Sequence, residues 1–501
     1  MADTKREIER KYESEDSGLP DLTGVAGVAA VLDKGIAHLD ATYYDTADER
    51  LAASSVTLRR RTGGSDAGWH LKFPVAPGVR DEIHAPLSET LPDDLAGLVR
   101  SRVRGRELLP VVRLRSDRDV RHLVDADGRL LAEVSVDAVR ADRLTAGGGA
   151  AQWTEIEVEL ADGGDPAFLD KVEKRLRKAG IRPSASASKL ARALAETAPH
   201  KQRASAPAGE PVTAGDLVLA YVRTQRDAIV ELDPAVRRDA EDSVHRMRVA
   251  TRRLRSTFKS YGEILDRTVT DPIGDELKWL AAELGLDRDR EVLSERLTAA
   301  LDEVPTTLVR GPVAERLHTW ARTEHGGARG RLIGVLDSRR YLALLDALDA
   351  LIADPPLRKA VGKKPRKVIA KAVKKDFRKV AGLVERAVEL EPGTDRDVAI
   401  HEARKKTKRA RYAAEAARPA LGKPAKAMVK SMKSLQNLLG EHQDSVMARQ
   451  TLRELSAVAH AAGESAFTYG LLHEREEQRA VRVETELPGF WERTKGRAAG
   501  L

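Results

Sequence analysis

Two periodicities of apolar and polar residues divide the chain. Up to about residue 200 the period is two: "ASSVTLRRR", "GWHLKFP", "DEIHAPL", "PVVRLRS", "LLAEVSVDAVRA" and "QWTEIEVEL" are short, rich in β-branched residues and bounded by turn residues. Each predicts a strand. From Gly215 onward apolar residues recur at spacings of three and four, as in "DLVLAYVRTQRDAIVEL" and "KSLQNLLGEHQDSVMARQTL". That spacing predicts amphipathic helices. Between the two regions "HKQRASAPAGEPVTAG", His200 to Gly215, has no period and suits an exposed linker. The expected organisation is α+β multidomain: a strand-rich domain over 1–200, a linker over 201–212 and an all-helical domain over 213–495.

Composition agrees with two cores. The 501 residues exceed what one core holds, and 42% hydrophobic with 33% charged residues at a mean hydropathy of −0.41 place the chain among soluble globular proteins. No run is long and apolar enough to span a membrane, and "MADTKREIER" lacks the apolar stretch of a secretory signal, so a cytoplasmic location is expected. The absence of cysteine excludes disulfides and thiolate metal sites. The net charge of +8 is unevenly spread. Residues 1–200 carry 30 Lys+Arg against 34 Asp+Glu, leaving 56 against 44 for the remainder, so the helical part is the one suited to a polyanion.

Charges in the strands repeat at the same period of two. Glu7, Glu9 and Lys11 alternate in "EIERKYE", as do Arg59 and Arg61, His70 and Lys72, Arg80 and Glu82, Arg113 and Arg115, and Glu155, Glu157 and Glu159. Residues two apart share a face, and the opposite face carries Val112, Leu114, Val134, Val136, Ile156, Val158 and Leu160. A one-sided sheet would merely solvate such a face. Acids mixed with bases on six strands fit better a closed barrel with a charged lumen and an outside packed on helices. In such a lumen carboxylates can hold a hard cation such as Mg²⁺ while Lys and Arg neutralise the phosphate oxygens bridged to it. The chain has no G-x-x-x-x-G-K-[ST] loop, and Gly147–Gly149 reads as a turn. His70 and His84 have no companions at metal-binding spacing and are expected to be ordinary polar residues.

The residues then carry a resemblance. "EIERK" matches an ExExK signature, and "YYDTADERLAASSVTLRRR", "LKFP", "EVSVDA" and "EIEVEL" follow in order. Over residues 1–200 the chain resembles the CYTH family of triphosphate tunnel enzymes. The resemblance implies an eight-stranded antiparallel tunnel barrel with flanking helices that hydrolyses, or in some members cyclises, triphosphate compounds with Mg²⁺ or Mn²⁺. Matching positions imply that Glu7, Glu9, Asp137, Glu155 and Glu157 hold metal, with Glu133 and Glu159 on the same faces. They imply that Lys11, Arg59, Arg61, Lys72, Arg113, Arg115 and Lys189 bind phosphate, with Glu7, Glu9 and Lys11 as the catalytic signature. The implied reaction is in-line attack by a metal-polarised water. The motifs address only phosphates, so tripolyphosphate, nucleoside triphosphate and thiamine triphosphate all stay open, as does cyclisation to cyclic AMP.

The helical region repeats itself. "HRMRVATRRLR" from His245 and "HEARKKTKRAR" from His401 share H-x-x-R-x-x-T-[RK]-R-x-R; downstream, "KWLAAELGLDRD" from Lys278 aligns with "KSLQNLLGEHQD" from Lys433, matching Gly285 to Gly440 and Asp289 to Asp444. Two related bundles across a pseudo-twofold are the simplest expectation. Wound as helices, His245, Arg248, Arg252 and Arg255, and likewise His401, Arg404, Lys408 and Arg411, form basic stripes. Two stripes facing one groove would hold an anionic chain. Over about residues 213–495 this region resembles the CHAD family, which implies binding of inorganic polyphosphate and association with polyphosphate granules, with these eight residues as ligands. Lys405, matched by Val249 in the first copy, is a further candidate. The run "RKAVGKKPRKVIAKAVKKDFRK", whose single acid is Asp376, adds basic surface. Nucleic acid fits less well, because aromatic residues for base stacking make up only 4% of the chain. Two functions follow: a metal-dependent triphosphatase tethered to polyphosphate, or an inactive polyphosphate-binding granule protein. The filled barrel positions favour the enzyme.

Overall fold

Among the described residues, alternation of apolar and charged positions underlies nine strands in the first unit of the computed structural model: β1 (Asp3–Glu13), β2 (Ala30–Asp45), β3 (Thr57–Thr62), β4 (Gly68–Ala76), β5 (Val79–Pro86), β6 (Leu109–Val124), β7 (Leu130–Arg143), β8 (Ala150–Leu160) and β9 (Arg182–Pro183). The structure describes residues 3–14, 18–145, 147–198, 213–322, 325–358 and 365–498. The chain forms two units, Met1–Pro207 and Ala208–Leu501, and the linker expected over 201–212 lies outside the described residues.

The strands run in the order β5-β4-β3-β2-β6-β7-β8-β1-β9, and β1 also pairs with β5, so β1 to β8 close into an antiparallel ring. Strand β1 makes the closure by dividing its length: Asp3–Ile8 face β5, and Glu9–Glu13 face β8. Helices α1 (Arg50–Ala53), α2 (Asp93–Val103) and α3 (Ala167–Lys178) cover the outside. Leu58, Leu71 and Ile83 pack on Leu95, Leu98 and Val99 of α2, while Val134, Ile156 and Val158 pack on Leu169, Val172 and Leu176 of α3. The fourth helix, α4 (Lys189–Glu196), does something different: Leu190, Ala193 and Leu194 join Ala41, Val112, Leu114, Val139 and Trp153. Val139 and Trp153 share the faces of Asp137 and Glu155, so this cluster fills one end of the ring's interior with apolar side chains.

Among the described residues of the second unit there are twelve α-helices: α5 (Ala214–Arg237), α6 (Ser243–Ser260), α7 (Arg267–Glu283), α8 (Leu286–Asp302), α9 (Val313–Arg322), α10 (His325–Asp337), α11 (Arg339–Ala353), α12 (Pro365–Glu389), α13 (Thr394–Ala416), α14 (Arg418–Leu421), α15 (Lys423–Ala461) and α16 (Phe467–Ala498). The first begins at a capping box, in which Thr213 and Asp216 satisfy each other's backbone N–H. The repeated His motifs occupy α6 and α13, which pack together and share one core through Met247, Leu254, Ala403 and Ala410. The downstream repeats differ in shape. The first breaks at Gly285 between α7 and α8, and the second runs unbroken through α15. Asp376, the single acid of the basic run, is buried on α12, where it accepts hydrogen bonds from Ser260 Oγ (2.5 Å) and Arg409. It anchors the run to α6 and α13. No described helix is long and apolar enough to cross a membrane.

Candidate functional site

Closure of the ring encloses a cavity of about 800 Å³ lined by charged side chains of both signs. Glu7, Glu9 and Lys11 project into it from β1, Arg59 and Arg61 from β3, His70 and Lys72 from β4, Glu157 from β8, and Lys189 from the first turn of α4. In its wall, behind Glu157, the buried Asp137 and Glu155 join Glu157 in bringing carboxylate oxygens within 4.8 Å of one another. The Lys189 ammonium stands among them, 3.0 Å from Asp137 Oδ2, 2.7 Å from Glu155 Oε1 and 2.6 Å from Glu157 Oε1. A hard, all-oxygen donor set that already surrounds one positive charge fits a divalent cation. Glu7 and Glu9, expected in the same ligand set, lie outside this group. Glu7 accepts from Lys72 Nζ at 2.8 and 2.6 Å, and Glu9 accepts from Lys11 Nζ at 3.1 Å.

Two of the expected phosphate ligands point the other way. Arg113 and Arg115 are exposed on the outer face of β6, where they pair with Asp40 and Asp142 at 2.5 Å. The cause is the apolar end of the ring: Leu114 fills the interior there, so its odd-numbered neighbours must turn outward. In their place β6 supplies Arg118, cross-strand partner of Asp137, which donates twice to Asp137 (2.8 Å each) and once to Glu157 (2.7 Å). Sequence reasoning also passed over Glu82, which meets His70 Nδ1 at 2.7 Å, Lys72 Nζ at 3.4 Å and Arg59 at 3.9 Å. His70 is thereby an orienting residue, its Nε2 facing the Asp66 carbonyl at 2.9 Å.

These charges fix one another's protonation. Burial alone would discharge Lys189, but Asp137, Glu157 and Glu155 outweigh it and hold the ammonium above its ordinary value. Burial likewise opposes ionisation of Glu157, and Lys11, Lys189 and Arg118 keep it well below the usual carboxylate range. At the other end of the row, burial and then the neighbouring Glu82 push Glu7 up to about 8 against the pull of Lys72. Glu7 and Glu82 therefore hold one proton between them at neutral pH.

In the helical unit the two basic stripes meet. Lys408 of α13 is flanked by Arg404 of its own helix and by Arg252 and Arg248 of α6, with Asp444 of α15 as the countercharge. Burial first, then those three guanidiniums, bring Lys408 down to about 7. Arg404 approaches Asp444 at 4.0 Å, and His401 Nδ1 meets Gln443. His245 is exposed near the start of α6, and Arg255 is half-buried, with burial drawing its pKa below the ordinary value despite Asp275. Arg411 is occupied by Glu415 (3.3 Å) and lies over the Tyr412 ring, while exposed Lys405 pairs with Glu402 at 2.6 Å. A second group with ligand geometry, Asp397, His442 and Glu484, is already balanced by Arg449 and Arg396.

A CYTH domain model matches residues 5–194 and a CHAD domain model residues 220–453. Two Mycobacterium tuberculosis chains, Uncharacterized protein MT2285 and Uncharacterized protein Rv2226, are each 39% identical over 497 residues, spanning 96% of this chain and 94% of theirs. Among solved structures, PptA from Streptomyces chartreusis is 20% identical (56% of this chain, 99% of that one, TM-score 0.47). The CHAD domain from Ricinus communis is 22% identical (60% and 96%, TM-score 0.45).

Proposed function

Since the chain belongs to the proteins that join an N-terminal CYTH domain to a C-terminal CHAD domain, we propose that its tunnel hydrolyses a triphosphate compound with Mg²⁺ or Mn²⁺, while its helical unit binds inorganic polyphosphate. The observation that carries the reading is the encirclement of one three-carboxylate group by Lys11, Lys189 and Arg118, with Lys72, Arg59 and Arg61 further along the same cavity. A triphosphate needs that combination: a row of cations along its oxygens and one site where anionic ligands hold a metal against them.

Asp137, Glu155 and Glu157 are the residues that would hold the metal, which when bound supplies charge neutralisation at the transferred phosphoryl group and a more acidic water. Lys189 and Arg118 then have to leave the carboxylates, and phosphate oxygens are the partners they turn to. Lys72 and Arg59 orient the rest of the chain of phosphates, and Tyr43, which accepts from Arg59 at 3.3 Å, and Glu82 keep Arg59 in place. No side-chain nucleophile is required. In the helical unit the group Arg248, Arg252, Arg404 and Lys408 takes the polymer, with His245, His401, Arg255, Arg411 and Lys405 along its flanks. Such binding would hold a cytoplasmic protein at polyphosphate granules.

The position of Lys189 inside the acid group favours a second reading, in which the tunnel does not turn over and the whole chain serves polyphosphate binding. Phosphate release from tripolyphosphate, ATP and long-chain polyphosphate, with and without Mg²⁺ or Mn²⁺, separates them. Metal-dependent release abolished by Glu155→Gln/Glu157→Gln is the expected result. Tight polyphosphate binding with no release from any substrate would establish the second reading.

A further inference from the structure

A glycine inside a helix is worth about 1 kcal/mol less than an alanine, so a buried one needs a packing reason. Gly440 lies within the unbroken α15, and Gly285 lies at the α7–α8 junction; both are buried, and they hold the same place in the repeated segment. Neither has a left-handed backbone, so conformational freedom is not what the positions require. What they face is the other conserved feature of the repeat. A Cβ on Gly285 would stand 2.6 Å from Nη2 and 2.7 Å from Cζ of Arg248, and a Cβ on Gly440 would stand 3.4 Å from both Nε and Nη2 of Arg404.

Arg248 and Arg404 are themselves equivalent, each three residues after the motif histidine. One glycine–guanidinium contact is thus built twice in one chain, although one copy places it in a continuous helix and the other at a helix break. Repetition through such different surroundings argues that the contact, and not the local helix, is what both copies maintain.

Resting on the polyphosphate reading above, we infer that Gly285 and Gly440 are positioning residues of that site: their bare backbone is the shelf on which Arg248 and Arg404 lie, keeping both guanidiniums beside Lys408. The contact at Gly285 is too close for any Cβ, so an added methyl has to displace the flexible end of Arg248. At Gly440 a shift of a few tenths of an ångström suffices. The two positions should therefore respond unequally.

The test is a double-mutant cycle on the full chain, read as binding of inorganic polyphosphate of one defined length together with the thermal unfolding midpoint. Gly285→Ala is expected to weaken binding about tenfold and Gly440→Ala roughly threefold, the scale of a misplaced charge-assisted contact. The Gly440→Ala midpoint should stay unchanged or rise, since alanine favours a helix interior, whereas Gly285 is the N-cap of α8 and the Gly285→Ala midpoint should fall slightly. Both losses should vanish when the arginine is already absent, in Arg248→Ala and Arg404→Ala respectively. Should Gly285→Ala unfold, the milder Gly440→Ala arm still closes its own cycle. Alanine variants that bind like the wild type, or that lose the same factor without the arginine, overturn the inference alone. A wild-type chain that does not bind polyphosphate overturns the proposed function and this inference with it.

Discussion

In the tunnel, Lys11, Lys72, Arg118 and Lys189 each meet carboxylates, whereas Lys408 in the helical unit has three guanidiniums beside it and, among the described residues, Asp444 as a countercharge. The first arrangement is a closed network in which pairing outweighs burial and holds Lys189, Glu157 and Arg118 in their charged forms. A ligand there must exchange one set of ion pairs for another, which selects a compact, highly charged guest that brings both anion and metal. The second arrangement gathers an ammonium and three guanidiniums in one place. Any polyanion relieves it, and length rather than identity decides how well. On the proposed function, specificity for a small triphosphate and tolerance for a long polymer would follow from opposite treatments of the same residue types.

The largest effect expected from this contrast is that of metal removal. Chelation by EDTA should abolish phosphate release in the tunnel, with restoration by Mg²⁺ or Mn²⁺, and leave polyphosphate binding within about twofold, because the proposed polymer site is built from basic side chains. Loss of polymer binding on chelation would instead place a metal in the helical unit, where Asp397, His442 and Glu484 would be its first candidates. Next in size is the exchange of arginines on β6. Arg118→Ala should lower kcat/KM about 100-fold, as loss of a preorganised donor does, whereas Arg113→Ala should stay within about twofold. Equal losses in the two variants would mean that the outward placement of Arg113 is not the working one.

That β6 pair marks where the sequence could be read and where it could not. Strands β1 and β8 are legible because apolar residues such as Tyr12, Ile156 and Val158 face α3 while Glu7, Glu9, Lys11 and Glu157 face the cavity, so "EIERK" and "EIEVEL" each announce the tunnel face, although Arg10 turns to Asp170 and Glu173 of α3. On β6 the same alternation misleads. Leu114 is buried inside the ring against α4 and not outside it, and no local pattern tells one burial from the other. Arg118 is recognisable only through its register opposite Asp137, a contact 19 residues away in sequence. Glu82 sat in a visible alternation with Arg80 but without its partners, which come from β1, β3 and β4. In the helical unit the duplication made the stripes legible. It could not reveal that the stripes converge on Lys408, nor that the aligned glycines face the aligned arginines, because both depend on how α6 and α13 lie against α7 and α15.

The smallest and most diagnostic effect is the pH dependence that Lys408 imposes. Its pKa lies near 7 in the folded chain against 10.5 for an ordinary lysine, so between those values the unfolded chain binds more protons than the folded one. Stability then rises with pH across that window, and below it the folded chain carries the full burden of a buried ammonium among guanidiniums. Lys408→Met should accordingly raise the unfolding midpoint by a few degrees at pH 6.5 and by less at pH 10. Binding has the opposite sign. Phosphates beside Lys408 favour its charged form, so binding takes up a proton, and affinity for polyphosphate should fall as pH climbs from 7 to 9 by about threefold to tenfold. His401 does not mimic this, because burial draws its pKa below the ordinary 6.5 and it stays neutral throughout the range. Lys408→Arg keeps a permanent charge at the position and should flatten the profile. A wild-type profile already flat from pH 7 to 9 would mean that Lys408 is charged before the polymer arrives, and that Asp444 offsets the three guanidiniums by itself.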